Sequence, residues 1–149
     1  IKEGQIVSNL FVIEKGLVRS FYNINEIEIN VWFGFESGIL GSVMPLFFSQ
    51  PSIENIQFLE DTTLYYISSN DLESFYKSSQ EMNTIGRKMA EEYCKILEER
   101  SFLLQTHTAE QHYHWLLKNQ PEALQRISLG HIASYLGISQ ETLSRIRKK

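Results

Sequence analysis

Cysteine is nearly absent from this chain of 149 residues: Cys94 is the only one. A single thiol excludes an intramolecular disulfide, a multi-cysteine zinc site and a cysteine-ligated iron–sulfur cluster within the chain. It also fits a reducing, cytoplasmic setting. On a helical segment a lone Cys is expected as a small buried hydrophobe. Long apolar runs are missing too. No stretch reaches the roughly 18 residues of a membrane span, and the apolar segment from Ile39 to Phe48 is short and interrupted by Pro45. The sequence opens at Ile1 without Met or a signal-peptide pattern, and is read as beginning inside a larger protein. Cations are missing regionally: residues 20–76 contain no Lys, Arg or His. The histidines are His107, His112, His114 and His131, all outside the β-rich part. His112 and His114 are two apart, so on a helix they point to different faces and do not share a metal. No Ser/His/Asp, Cys/His or paired-carboxylate arrangement stands out, so neither an enzyme nor a metal centre is expected.

The charge that is present is segregated. Residues 1–120 carry nine Lys/Arg against sixteen Asp/Glu, whereas residues 121–149 carry five against two. Four of the last five residues are basic: Arg145, Arg147, Lys148 and Lys149. That distribution suits a C-terminal end that meets a polyanion. A solvated basic tail has the same composition, so a motif must decide.

Hydropathy patterning divides the chain. Leu10 to Ile13, Leu17 to Tyr22, Ile27 to Phe33, Ile53 to Phe58 and Thr63 to Ile67 read as short strands, with turns at Glu14-Lys15-Gly16, Asn23 to Glu26 and Glu60-Asp61. Ile27-Glu28-Ile29-Asn30-Val31 alternates as a half-buried strand does. Such spacing suggests a small barrel or jelly-roll-like sandwich. Asn70 with Glu73 looks like a capping box opening a helix. From about Gln80 the period becomes helical and long. Met82, Met89, Ile96 and Leu103 recur every seven residues, with Ile85 and Tyr93 on the same side. A seven-residue apolar repeat is a seam for a partner helix, which makes these six residues the candidate dimer interface. The same stripe also suits packing back onto the chain's own strands. Thr108 with Gln111 forms a second capping box, so Thr106 to Thr108 is a candidate hinge.

Residues 128–149 carry the motif. With Leu129 as its first position, Ala133 falls fifth, where two helices cross closely, and Gly137 falls ninth, where the turn requires a left-handed backbone. Ile132, Leu136, Ile138, Leu143 and Ile146 occupy the positions buried between the helices, and Ser139 is placed to N-cap the second helix. This is a helix-turn-helix whose recognition helix covers 139–149. Gln140, Glu141, Ser144 and Arg145 form its exposed polar side and are the candidate base contacts. Arg suits guanine O6/N7 and Glu suits the cytosine amino group. Ser139, Thr142, Arg147, Lys148 and Lys149 are the candidate phosphate contacts.

On these residues the chain resembles the Crp/Fnr family of bacterial transcription regulators over essentially its whole length. Ile138 to Ile146 looks very like the family's recognition helix, with a Glu-x-x-Ser-Arg pattern at Glu141, Ser144 and Arg145. Gly4, Phe11 to Gly16 and Arg19 are similar to its cyclic-nucleotide-binding β-roll, and Leu59 to Leu72 resembles the end of that roll entering a helix. The resemblance implies an α+β fold in three parts. Residues 1–79 form a double-stranded, jelly-roll-like sensor domain, 80–107 a long dimerisation helix, and 108–149 a winged-helix-type domain whose wing is missing from this sequence. It further implies a homodimer that reads a palindrome in double-stranded DNA. RNA polymerase and an unidentified small effector are candidate further partners, and no membrane is involved. Cyclic-nucleotide binders of this fold present a Gly-Glu pair and an Arg about ten residues later. Here Gly41 and Ser42 stand for the pair and Ser52 for the Arg, a degenerate ligand pocket. No local cation faces a cyclic phosphate, and an unpaired buried anion is costly. No cofactor is therefore expected, and a cyclic nucleotide is disfavoured. The rival reading is a small-ligand sensor whose helical tail serves protein–protein contact.

Overall fold

The computed structural model describes residues 1–148, and the chain falls into two compact units, one over Ile1–Glu73 and one from Ser74 onward. Among the described residues seven helices and six strands follow one another. In the first unit they are β1 (Asn9–Lys15), β2 (Val18–Ile24), β3 (Ile27–Gly34), β4 (Ile39–Leu40), α1 (Val43–Phe48), β5 (Asn55–Phe58) and β6 (Thr63–Ser68). Helix α2 (Ser69–Ser78) follows, and then α3 (Gln80–Thr106), α4 (Ala109–Asn119), α5 (Ala123–Arg126), α6 (Leu129–Leu136) and α7 (Gln140–Arg147).

The strands form two antiparallel three-stranded sheets, ordered β4-β1-β6 and β3-β2-β5. Apolar side chains at alternate positions meet between them: Ile13, Val18 and Leu40 are buried, and Phe11, Trp32, Ile56 and Leu64 pack against them. This is the α+β roll that the family resemblance implies. The β2–β3 hairpin turns on Asn25 and Glu26, both at positive φ, the backbone that a tight two-residue hairpin needs.

Three local expectations are corrected. In β3 the inward residue is the polar Asn30, 1% exposed, whereas Ile27 and Ile29 face outward. A register shift between Ser20 and Phe21 leaves Val31 as an extra residue on β3, which turns over the alternation beyond it. The helix after β6 is capped by Ser68, not Asn70: the Asp71 N–H donates to Ser68 Oγ and the Ser68 hydroxyl donates back to the Asp71 carboxylate. Cys94 is exposed on α3, not buried. Between Gly38 and Ser49 the glycine-spaced segment forms β4 and α1, with Pro45 buried inside the short helix.

Among the described residues no helix is long and apolar enough to cross a membrane.

Candidate nucleic-acid interface

In the second unit the helix-turn-helix is built as its spacing requires. Ser128 caps α6 by accepting from the His131 N–H. Gly137 ends it at φ 68° and ψ 31°, with its N–H returned to the Ala133 and Ser134 carbonyls. Ser139 caps α7 by accepting from the Thr142 N–H. Ile132, Ala133, Leu136 and Leu143 are buried, and Leu116 and Tyr113 of α4 join them in the core of this unit. Ile138 and Ile146 are half-buried. Thr108 and Gln111 form the reciprocal capping box that starts α4, so α3 and α4 are separate helices on either side of His107.

This core fixes which face of α7 looks outward. Gln140, Glu141 and Arg145 are exposed, and Ser144 is half-buried beside them. Arg147 and Lys148 are exposed at the other end of the helix. Lys149 lies outside the described residues. The Glu141 carboxyl is held below the ordinary range, first by its own backbone N–H, then by the Ser139 hydroxyl, and also by the Arg145 charge. Arg145 Nη2 donates to Thr142 Oγ1 at 3.2 Å. Ser139 Oγ and Thr142 Oγ1 lie 3.1 Å apart.

Of the six residues expected in a helix–helix seam, five lie open on α3: Ile85, Tyr93 and Ile96 are exposed, and Met82 and Met89 are half-buried. Leu103 is a correction. It is 6% exposed and lines a groove of about 320 Å³ with Glu99, Phe102, His107, Trp115 and Asn119 of its own unit. A heptad position packs equally well on a neighbour within the chain. Leu97 and Leu104, themselves seven apart, are exposed instead. The spacing carried that signal, but the heptad anchored on Leu103 obscured it.

The three candidate pocket residues also come together. Ser42 Oγ and Ser52 Oγ are 2.9 Å apart, and both residues are buried. Ser52 Oγ donates to the Glu54 carbonyl at 2.8 Å, so the proton between the two hydroxyls belongs to Ser42. A Cβ on Gly41 would stand 3.1 Å from the Asn9 carbonyl.

Two sets of contacts were not foreseen from the sequence. Arg19, one residue before the cation-free stretch, is 3% exposed. It donates to Gln57 Oε1 at 2.8 Å and Asn30 Oδ1 at 3.2 Å, pairs with Glu28 at 2.6 Å, and lies over the Phe21 ring. In the second unit Arg100 of α3 lies over Tyr135 of α6, and buried His112 of α4 faces the same ring. Burial first, then the Arg100 and His107 charges, push the His112 pKa down.

A family model described as the cyclic nucleotide-binding domain matches residues 1–79. No curated protein sequence matches the chain. Solved structures do. The chain is similar to FixK2 from Bradyrhizobium japonicum, with a TM-score of 0.81 and 21% identity over 99% of this chain and 76% of that one. It is similar to the c-di-GMP responsive global regulator CLP of Xanthomonas campestris, with a TM-score of 0.75 and 18% identity over 99% and 79% of the two chains. A candidate transcriptional regulator of the crp/fnr family from Eubacterium rectale gives a TM-score of 0.64 at 17% identity, over 99% and 74%. At such identities the likeness is one of fold.

Proposed function

The chain belongs to the cyclic nucleotide-binding domain family and has the Crp/Fnr regulator architecture, and from that premise we propose that it is a transcription regulator that binds operator DNA as a homodimer. The observation that carries this reading is the outward face of α7. It presents Gln140, Glu141 and Arg145, with Ser144 beside them, where a recognition helix meets base edges, and its C-terminal end presents Arg147 and Lys148 to the backbone.

The exposed face of α3 supports dimerisation. A helix of 27 residues is about 40 Å long. It leaves Ile85, Tyr93, Ile96, Leu97 and Leu104 exposed, an apolar stripe suited to the same helix of a second copy. Two recognition helices then address half-sites about 34 Å apart, with His107 between α3 and α4 as the joint at which their separation is set.

A cyclic nucleotide is disfavoured as the effector in this reading. The Ser42 and Ser52 hydroxyls bond to each other and to backbone, and Arg19 is engaged by Glu28, Asn30 and Gln57. A cyclic phosphate would have to strip Arg19 from Glu28 to find a cation, which is costly.

The test is selection from a random DNA library at two salt concentrations. A palindrome with half-sites a helical turn apart is expected. Arg145→Ala then relaxes preference at one base pair per half-site, by about 1–3 kcal/mol. Salt-sensitive binding with no enriched sequence would leave only a basic tail. No DNA binding at all would favour a helical tail used for protein contact.

A further inference from the structure

The groove beside Leu103 is not used by the DNA-reading face. It holds about 320 Å³, and its lining comes from the last turns of α3, from His107, and from Trp115 and Asn119 of α4. Leu103 is buried, whereas the Phe102 ring is 59% exposed. The Phe102 and His107 rings meet edge to face, with centroids 5.8 Å apart.

Three polar groups of this groove are left as acceptors. Thr106 Oγ1 donates its only proton to the Phe102 carbonyl at 2.7 Å. The 2.9 Å contact between Thr106 Oγ1 and His107 Nδ1 is therefore made by the ring N–H, and Nε2 of the neutral imidazole keeps its lone pair. Asn119 Nδ2 donates to the Trp115 carbonyl at 2.8 Å, which fixes the amide and leaves Oδ1 to accept. Glu99 enters no ion pair among the described residues, because Lys95, one turn earlier, is taken by Glu92 at 3.2 Å. An unpaired carboxylate repels anions, and ring faces beside it attract a cation. Among the described residues no group of three His, Cys, Asp or Glu side chains could hold a metal ion, so the cation that matches the groove is organic. A second copy seated on the α3 stripe does not cover it. Phe102 and Leu104 are two residues apart, which sets them about 160° apart round the helix axis.

We propose that this groove binds a small primary ammonium ion. Its N–H donors match the Glu99 carboxylate, His107 Nε2 and Asn119 Oδ1, and its alkyl chain matches Phe102 and Trp115. Such a ligand touches α3 and α4 on either side of His107, the joint of the DNA-reading function proposed above; the site itself does not depend on that function.

The experiment titrates the 149-residue chain with n-butylammonium and, separately, with butan-1-ol, which has the same shape and no charge. It is run at about pH 8, above the usual imidazole range and below that of an alkylammonium. The indole N–H NMR signal of Trp115 is the readout, with that of Trp32 in the roll as internal control. The Trp115 signal should shift to saturation, with n-butylammonium binding at least about tenfold tighter than the alcohol. Glu99→Gln should weaken the ammonium ion by about tenfold and leave the alcohol unchanged, and Phe102→Leu should weaken it about two- to fivefold. Both positions are exposed, so neither substitution removes a core side chain. Equal affinity for the two probes, unchanged ammonium binding in Glu99→Gln, or a Trp115 signal that does not move overturns the proposal. So does a Glu98→Gln that weakens binding as much as Glu99→Gln, the mark of diffuse attraction to the acidic surface of α3.

Discussion

Two glycines of the helix-turn-helix should respond to the same substitution with opposite signs. Gly137 has φ 68° and ψ 31°, and a Cβ built there meets nothing within 4 Å. Gly137→Ala therefore incurs only the backbone cost of a left-handed L-residue, about 1–2 kcal/mol. Gly130 lies in the first turn of α6, and its Cβ would meet only Gln140 Oε1, at 3.7 Å, an ordinary contact. Gly130→Ala removes the entropic cost of a helical glycine, a gain of about 0.5–1 kcal/mol. The two variants should differ by roughly 1.5–3 kcal/mol, the sum of those two effects. Urea denaturation followed by far-ultraviolet circular dichroism reads this as a midpoint shift at unchanged slope, with the slope itself about 1–3 kcal/mol per molar for small proteins. Gly137→Ala should lower the midpoint by about 0.3–2 M, and Gly130→Ala should raise it. A Gly137→Ala midpoint at or above that of the unaltered protein would refute the account of the turn.

Arg19→Met should destabilise the protein by about 2–4 kcal/mol, because it removes a buried cation and strips one partner each from Asn30 Oδ1 and Gln57 Oε1. Half-exposure of Glu28 keeps the cost below that of a fully buried pair; a loss under about 0.5 kcal/mol in urea melts, the size of an ordinary surface substitution, would show that the ion is a bystander. His112 supplies a pH dependence. Its folded pKa is lowered by burial, then by Arg100 and His107, so the unfolded chain takes up the proton first as pH falls below about 6.5. The unfolded state then binds more protons, and stability drops as pH is lowered through that window and holds steady above it. Comparing urea midpoints at pH 5.5 and 7.5, the drop should be smaller in His112→Gln; an equal drop would place the titration elsewhere.

How much could be read in advance depended on the reach of each signal. The helix-turn-helix was legible because its determinants are local. Ser139 caps three residues on, Gly137 bends its own backbone, and Ala133 fits where only a small side chain does. The same holds for the Thr108–Gln111 box. The roll was legible as alternation, but the inward face of β3 was not. A bulge set by pairing with β2 decides it, and nothing in Ile27 to Val31 records that pairing. The burial of Leu103 was hidden for a related reason. A heptad says that a stripe will be covered, not by what, and at this position the side chain is already buried within the single chain. Arg19 was hidden by a boundary. The count of missing cations began at residue 20, and only the cross-strand pairing of Arg19 with Gln57 brings it into that region.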